Sequence, residues 1–240
     1  MATSILSACN LNDPISFLFI KENTDIDGSF LLSSLISQRL KEQNSGTIMI
    51  CTHHTFDHYN SCCMKFGCNL SSSVAKNILH VIEPMKDVLR NDDITLNSLL
   101  ENIKVRFATY MEQNVSKVNI FIDDLQFYAN FGSNENEMIK FSHQLKSLST
   151  TENARIVLKM NVSNLYAFAC NNIEDISDVV IDVNELKSGK FKEVDGKLVI
   201  QKKTHAINEN LMISEAKNIL YKANDRNIKV FAPGEIGLRV

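Results

Sequence analysis

Short apolar runs alternate with longer amphipathic stretches along the first three quarters of the chain. Residues 15–20 (ISFLFI), 47–51 (TIMIC), 77–82, 119–122 (NIFI) and 154–161 (ARIVLKMN) are mainly apolar throughout. That is the signature of strands covered on both faces, and hence of a mostly parallel sheet. Between them, residues 29–43, 56–66, 96–111 and 135–148 predict helices. The clearest places Leu96, Leu99, Leu100, Ile103, Phe107, Tyr110 and Met111 on one stripe, as expected of a helix packed on a sheet. Gly67 closes the 56–66 helix because it can take positive φ, and Pro84 stops the third strand. After about residue 178 the pattern changes. A strand at 178–183 is followed by 191–194 and 197–200, which flank Asp195-Gly196 and predict a type I′ hairpin. Residues 211–213 and 229–231 add shorter strands. The expected fold is one α/β domain over residues 1–240, a mainly parallel central sheet with antiparallel C-terminal hairpin strands. No stretch rich in Pro, Gly or Ser marks a linker, and no internal repeat is visible.

A strand, a polar loop, a helix, and later an apolar strand ending in Asp123-Asp124 make the frame of a P-loop ATPase. In such a site loop glycines let backbone N–H groups surround the phosphates, a lysine neutralises them, and a hydroxyl holds Mg²⁺. The glycines here stand at 28, 46, 67, 132, 189, 196, 234 and 237, with no G-x-G and no pair five apart. Neither a dinucleotide fingerprint nor a complete P-loop is therefore present. Aligning Gly28 with the second P-loop glycine puts Ser29 at the lysine and Phe30 at the hydroxyl. Residues 21–30 carry Lys21 against Glu22, Asp25 and Asp27, a net −2 that would repel a triphosphate. Asp123-Asp124 then reads as a carboxylate pair capping the following turn.

Charge, cysteines and histidines narrow the rest. With 25 Lys+Arg against 28 Asp+Glu the chain is not a generally basic nucleic-acid coat. Its start, MATSILSACN, lacks a basic segment ahead of an apolar core, so no secretory signal is expected, and no apolar run approaches the ~18 residues of a membrane span. The six cysteines, two of them adjacent, are not spaced as a disulfide framework and predict reduced thiols in an intracellular protein. His54, His58 and Cys62 are spaced by four, as one helical face of a zinc site would be, but no C-x-x-C partner exists. Buried thiols with surface histidines are the expected outcome, with no metal, cofactor or catalytic residue.

Four segments carry a resemblance: Asp27-Gly-Ser-Phe-Leu31 opening a helix, Phe56-Asp-His-Tyr59 leading to Lys65-Phe-Gly-Cys-Asn-Leu70, Ile122-Asp-Asp-Leu125, and Val230-Phe-Ala-Pro-Gly234. In this order, over nearly the whole length, the chain resembles the Elongator complex protein 6 family. The resemblance implies a RecA-like three-layer fold without a functional P-loop. It implies a heterohexameric ring with Elongator subunits 4 and 5, two copies of each. That ring is accessory to the catalytic Elongator subunits, which modify the wobble uridine (U34) of tRNA, and it would bind tRNA. It also implies a cytoplasmic protein, with the nucleus as a second compartment. The alternatives are a RecA/KaiC-like ATPase with a degenerate loop, or a recombination accessory acting on DNA. Within such a ring, Lys187, Lys190, Lys192, Lys197, Lys202 and Lys203 are the candidate tRNA contacts. Against Glu193 and Asp195 they leave +4 in residues 187–203 of an otherwise acidic chain. Phe191 is the one aromatic residue there, so base-specific stacking is not expected.

Overall fold

The structure, a computed structural model, describes residues 5–11, 15–23, 25–88, 94–151, 153–162, 164–186, 192–205, 212–224, 227–232 and 234. In chain order the elements are α1 (Ile5–Ala8), β1 (Phe17–Glu22), α2 (Ser29–Arg39), β2 (Ser45–Cys51), α3 (Phe56–Lys65), α4 (Leu70–Ala75), β3 (Leu79–Ile82), α5 (Pro84–Val88), α6 (Leu96–Glu112) and β4 (Lys117–Asp123). A 3-10 helix (Leu125–Phe131) leads to α7 (Glu135–Thr151) and β5 (Ala154–Asn161). A second 3-10 turn (Asn164–Tyr166), α8 (Ala167–Ile176), β6 (Val179–Asn184), β7 (Gly196–His205), β8 (Met212–Ala223) and β9 (Ile228–Phe231) complete it.

The described strands form one nine-stranded sheet in the order β3-β2-β4-β5-β1-β6-β7-β8-β9. Pairing is parallel from β3 to β6 and antiparallel from β6 to β9. Alternate residues of each strand feed two cores. Leu18 and Ile20 of β1, Phe121 of β4 and Val157 of β5 pack with Leu31, Leu32, Leu35 and Ile36 of α2. Phe17, Phe19, Ile120, Ile122 and Leu158 pack on the opposite side with α6, α7 and α8. The period-2 alternation of strand side chains explains why these runs show no polar face. The α6 stripe lies as its spacing predicts, except that Met111 is exposed. Tyr110 ends the stripe under β2, its hydroxyl donating to the Thr47 and Ile78 carbonyls.

Several expectations need correction. Asp195-Gly196 is not a hairpin turn. Gly196 opens β7, which pairs with β6 on one side and β8 on the other. A Cβ on Gly196 would lie 2.7 Å from the Asn184 carbonyl and 2.8 Å from the Tyr221 hydroxyl, so close approach, not positive φ, calls for glycine. Strand β1 sits two residues later than 15–20, and the Phe17 N–H at its start donates to the Asp178 carboxylate at 2.8 Å. The third strand starts at Leu79, since Asn77 adopts φ 56° in the turn after α4. Helix α2 stops at Arg39, short of residue 43. Strand β8 runs twelve residues where three were expected. Gly67 (φ 75°) ends α3 as anticipated. The elements α1, α4, α5, α8 and the 3-10 helices had no counterpart in the pattern.

Candidate functional site

The C-terminal ends of β4, β5 and β1 lie side by side, and each carries one charged residue on the face that α2 covers. Glu22 ends β1, Lys159 is in β5, and Asp123 ends β4. The Lys159 ammonium lies 2.6 Å from Glu22 Oε1 and 3.0 Å from Asp123 Oδ1. The three residues are 2%, 0% and 1% exposed, so solvent screens none of these contacts. Glu22 Oε2 accepts the Gly28 N–H at 2.6 Å, tying the end of β1 to the start of α2. Asp123 Oδ2 accepts the His54 N–H at 2.9 Å, and the buried Tyr59 hydroxyl lies beside the same carboxylate. Burial would lower the Lys159 pKa, but the charges of Asp123 and Glu22 outweigh it and keep the ammonium protonated. Burial raises the Glu22 pKa from its ordinary value, more than Lys159 lowers it.

Asp124, at φ 69°, turns away from this cluster. Its Oδ1 accepts the Gln126 N–H at 2.9 Å and the Asn161 N–H at 3.3 Å, so Asp124 caps the 3-10 helix as expected of the pair. Asp123 instead belongs to the ion cluster. Lys21, the loop's one cation, points elsewhere, at 2.8 Å from both Glu174 and Asp182.

A second pair closes the outer side of the loop. Asp27 accepts from the Ser29 N–H and hydroxyl, both at 2.8 Å, and its Oδ2 lies 3.0 Å from His54 Nε2. Burial would raise the Asp27 pKa, but the bonds from His54 and Ser29 hold it well below the usual value. The bond to Asp27 raises the His54 pKa against a smaller opposing effect of burial. Folding therefore favours protonated His54. Its contribution to stability is complete below the ordinary value near 6.5 and disappears as pH rises through the raised, folded-state value. Comparing denaturation midpoints, the wild type is expected to exceed His54→Asn most at mildly acid pH, with the gap shrinking in alkaline buffer. A gap that widens with pH would overturn this assignment.

The His54, His58 and Cys62 side chains come into contact with one another. The His54 and His58 rings stack at 4.1 Å with an interplanar angle of 13°, and Cys62 Sγ lies 3.6 Å from His58 Nε2. Cys9, Cys51, Cys63, Cys68 and Cys170 are buried and Cys62 is half-buried. Among the described residues no group of three or more His, Cys, Asp or Glu is arranged to hold a metal.

The six basic candidates do not share one environment. Lys187 and Lys190 lie outside the described residues. Lys192 is exposed, whereas Lys197 and Lys202 are half-buried on β7. The Lys203 ammonium donates to the Glu174 and Asp175 carbonyls at 2.6 and 3.0 Å, at the C-terminal end of α8, where a cation complements the helix dipole. Sequence reasoning missed Lys159. The available signal was a lysine set between Leu158 and Met160 in a mainly apolar strand, which almost always demands a buried partner.

Comparison with known proteins identifies relatives. The family described as Elongation complex protein 6 matches residues 3–225. Elongator complex protein 6 of Drosophila melanogaster is 36% identical over 259 aligned residues, covering 100% of both chains. A KaiC-like protein of Pyrococcus horikoshii superimposes with a TM-score of 0.64 at 11% identity, over 91% of this chain and 90% of that one, which shows the shared RecA/KaiC-like fold.

Proposed function

The chain belongs to the Elongator complex protein 6 family, and on that premise we propose that it is a non-catalytic accessory subunit of Elongator. In this reading it is a single RecA-like domain that joins Elongator subunits 4 and 5 in a heterohexameric ring. The ring binds tRNA and supports modification of its wobble uridine U34 by the catalytic subunits, in the cytoplasm and the nucleus. The observation that carries the reading is identity of 36% over the full length of both chains. The local chemistry supports a subunit without ATPase activity. The loop before α2 offers no lysine to a phosphate, Lys21 is held by Glu174 and Asp182, and the Gly28 N–H is already taken by Glu22. Among the described residues no helix is long and apolar enough to cross a membrane.

Lys187, Lys190, Lys192, Lys197 and Lys202 remain the candidates for tRNA phosphates. Lys203 is the weakest of the six because its ammonium already caps α8. Isolation of the tagged chain from cells is expected to bring down Elongator subunits 4 and 5. Changing Lys190, Lys192 and Lys197 together to Glu should leave that assembly intact and weaken tRNA binding by the ring. It should also flatten the salt dependence, by up to about 0.9 logarithmic units per lost duplex phosphate contact. Absence of subunits 4 and 5 would overturn the assignment. Binding of tRNA equal to wild type at every salt concentration would remove these lysines from it.

A further inference from the structure

A helix that starts at the end of a buried parallel strand presents unpaired N–H groups and a partial positive charge, and so attracts an anion. In a P-loop site that anion is a nucleotide phosphate. A Mg²⁺ ion beside it is shared with an Asp at the end of a nearby strand. At the corresponding place in this chain, groups of the chain itself take these positions among the described residues. The Glu22 carboxylate receives the Gly28 N–H at 2.6 Å, as a phosphate oxygen would. The Lys159 ammonium bridges Glu22 and the strand-end Asp123 at 2.6 and 3.0 Å, as a metal ion would. Asp27 satisfies the next amide, that of Ser29.

Gly28 gives independent support. Its φ of −86° is open to any residue, so conformational freedom does not explain the glycine. A Cβ there would instead lie 3.0 Å from Glu22 Oε2, with Val183 Cγ2 and Ile20 Cγ2 at 3.4 and 3.5 Å. The cradle is shaped around the carboxylate.

We propose that Glu22 and Lys159 are internal substitutes for a phosphate and its metal ion, holding the loop before α2 in one arrangement without any ligand. The chain thereby keeps the architecture of a nucleotide site as a fixed structural joint. This inference does not depend on the ring or on tRNA, and it concerns the isolated fold.

Amide hydrogen exchange on the full chain tests it. Wild-type amides of residues 25–29 should be protected without nucleotide and unchanged by added ATP. In Glu22→Ala they should exchange on the order of tenfold faster or more, while strands β7–β9 keep their protection. Acetate, the fragment removed, or inorganic phosphate should restore protection in that variant, whereas chloride at equal ionic strength should not. Gly28→Ala, a milder change crowding the same carboxylate, should also accelerate exchange at 25–29, and it decides the matter if Glu22→Ala does not fold. ATP-dependent protection of the wild-type loop would overturn the proposal. So would unaltered exchange in the variants, acceleration spread equally over β7–β9, or anions acting alike on wild type and Glu22→Ala.

Discussion

Lys159→Met is expected to lower folding stability by about 3–5 kcal/mol, the usual cost of removing one partner from a buried ion pair. The substitution leaves Glu22 and Asp123 facing each other, each almost fully buried and without a cation. The loss should appear as a lower urea midpoint with an unchanged slope, and it should shrink at acid pH, where the orphaned carboxylates take up protons. The double variant Glu22→Gln/Lys159→Met should recover only part of the loss, because Asp123 is still buried without a cation; adding Asp123→Asn should recover more. A single variant as stable as the wild type would mean that the cluster is not closed to water.

Gly196→Ala should destabilise by about 1–3 kcal/mol, the range for forcing an extra methyl group into a packed site. The new Cβ would meet the Asn184 carbonyl at 2.7 Å and the Tyr221 ring, so neither a rotamer change nor a loop movement relieves it without parting β6 from β7. Thermal unfolding of the two proteins measures the difference. If Asp195-Gly196 were instead an exposed turn, alanine would act only through φ at one position, and Tyr221→Phe would have no influence on its cost. In the packed arrangement, Tyr221→Phe removes the hydroxyl at 2.8 Å and should ease the alanine substitution.

The contrast between these two sites shows where the linear pattern is informative. The α6 stripe and strand β5 stand at their expected places because both depend on short-range periodicity that a few residues display completely. Gly67 reads correctly for the same reason, since the need for positive φ at a helix end is local. Asp195-Gly196 reads wrongly because the dipeptide's turn preference is also local, while the strand that claims Gly196 is fixed by Tyr221, twenty-five residues further along the chain. Helix α8 escapes notice because Ala167 and Phe168 are exposed, so its apolar positions, Ala169, Cys170 and Ile173, are too few to show a stripe.

The chemistry divides along the same line. The spacing of eight glycines and the net −2 of residues 21–30 already speak against an intact phosphate loop, because both are properties of contiguous residues. That Glu22 closes on Gly28 is nearly local too, at a separation of six residues. The cation that balances Glu22 stands 137 residues away, and no periodicity or motif links the two. Strand order β4-β5-β1 places Lys159 between the two carboxylates, and α2 seals them from water. Residue type shows which groups must find partners, since a charge cannot stay alone in an apolar interior. Which partner each one finds depends on which strands become neighbours, and that is settled by the packing of the whole sheet.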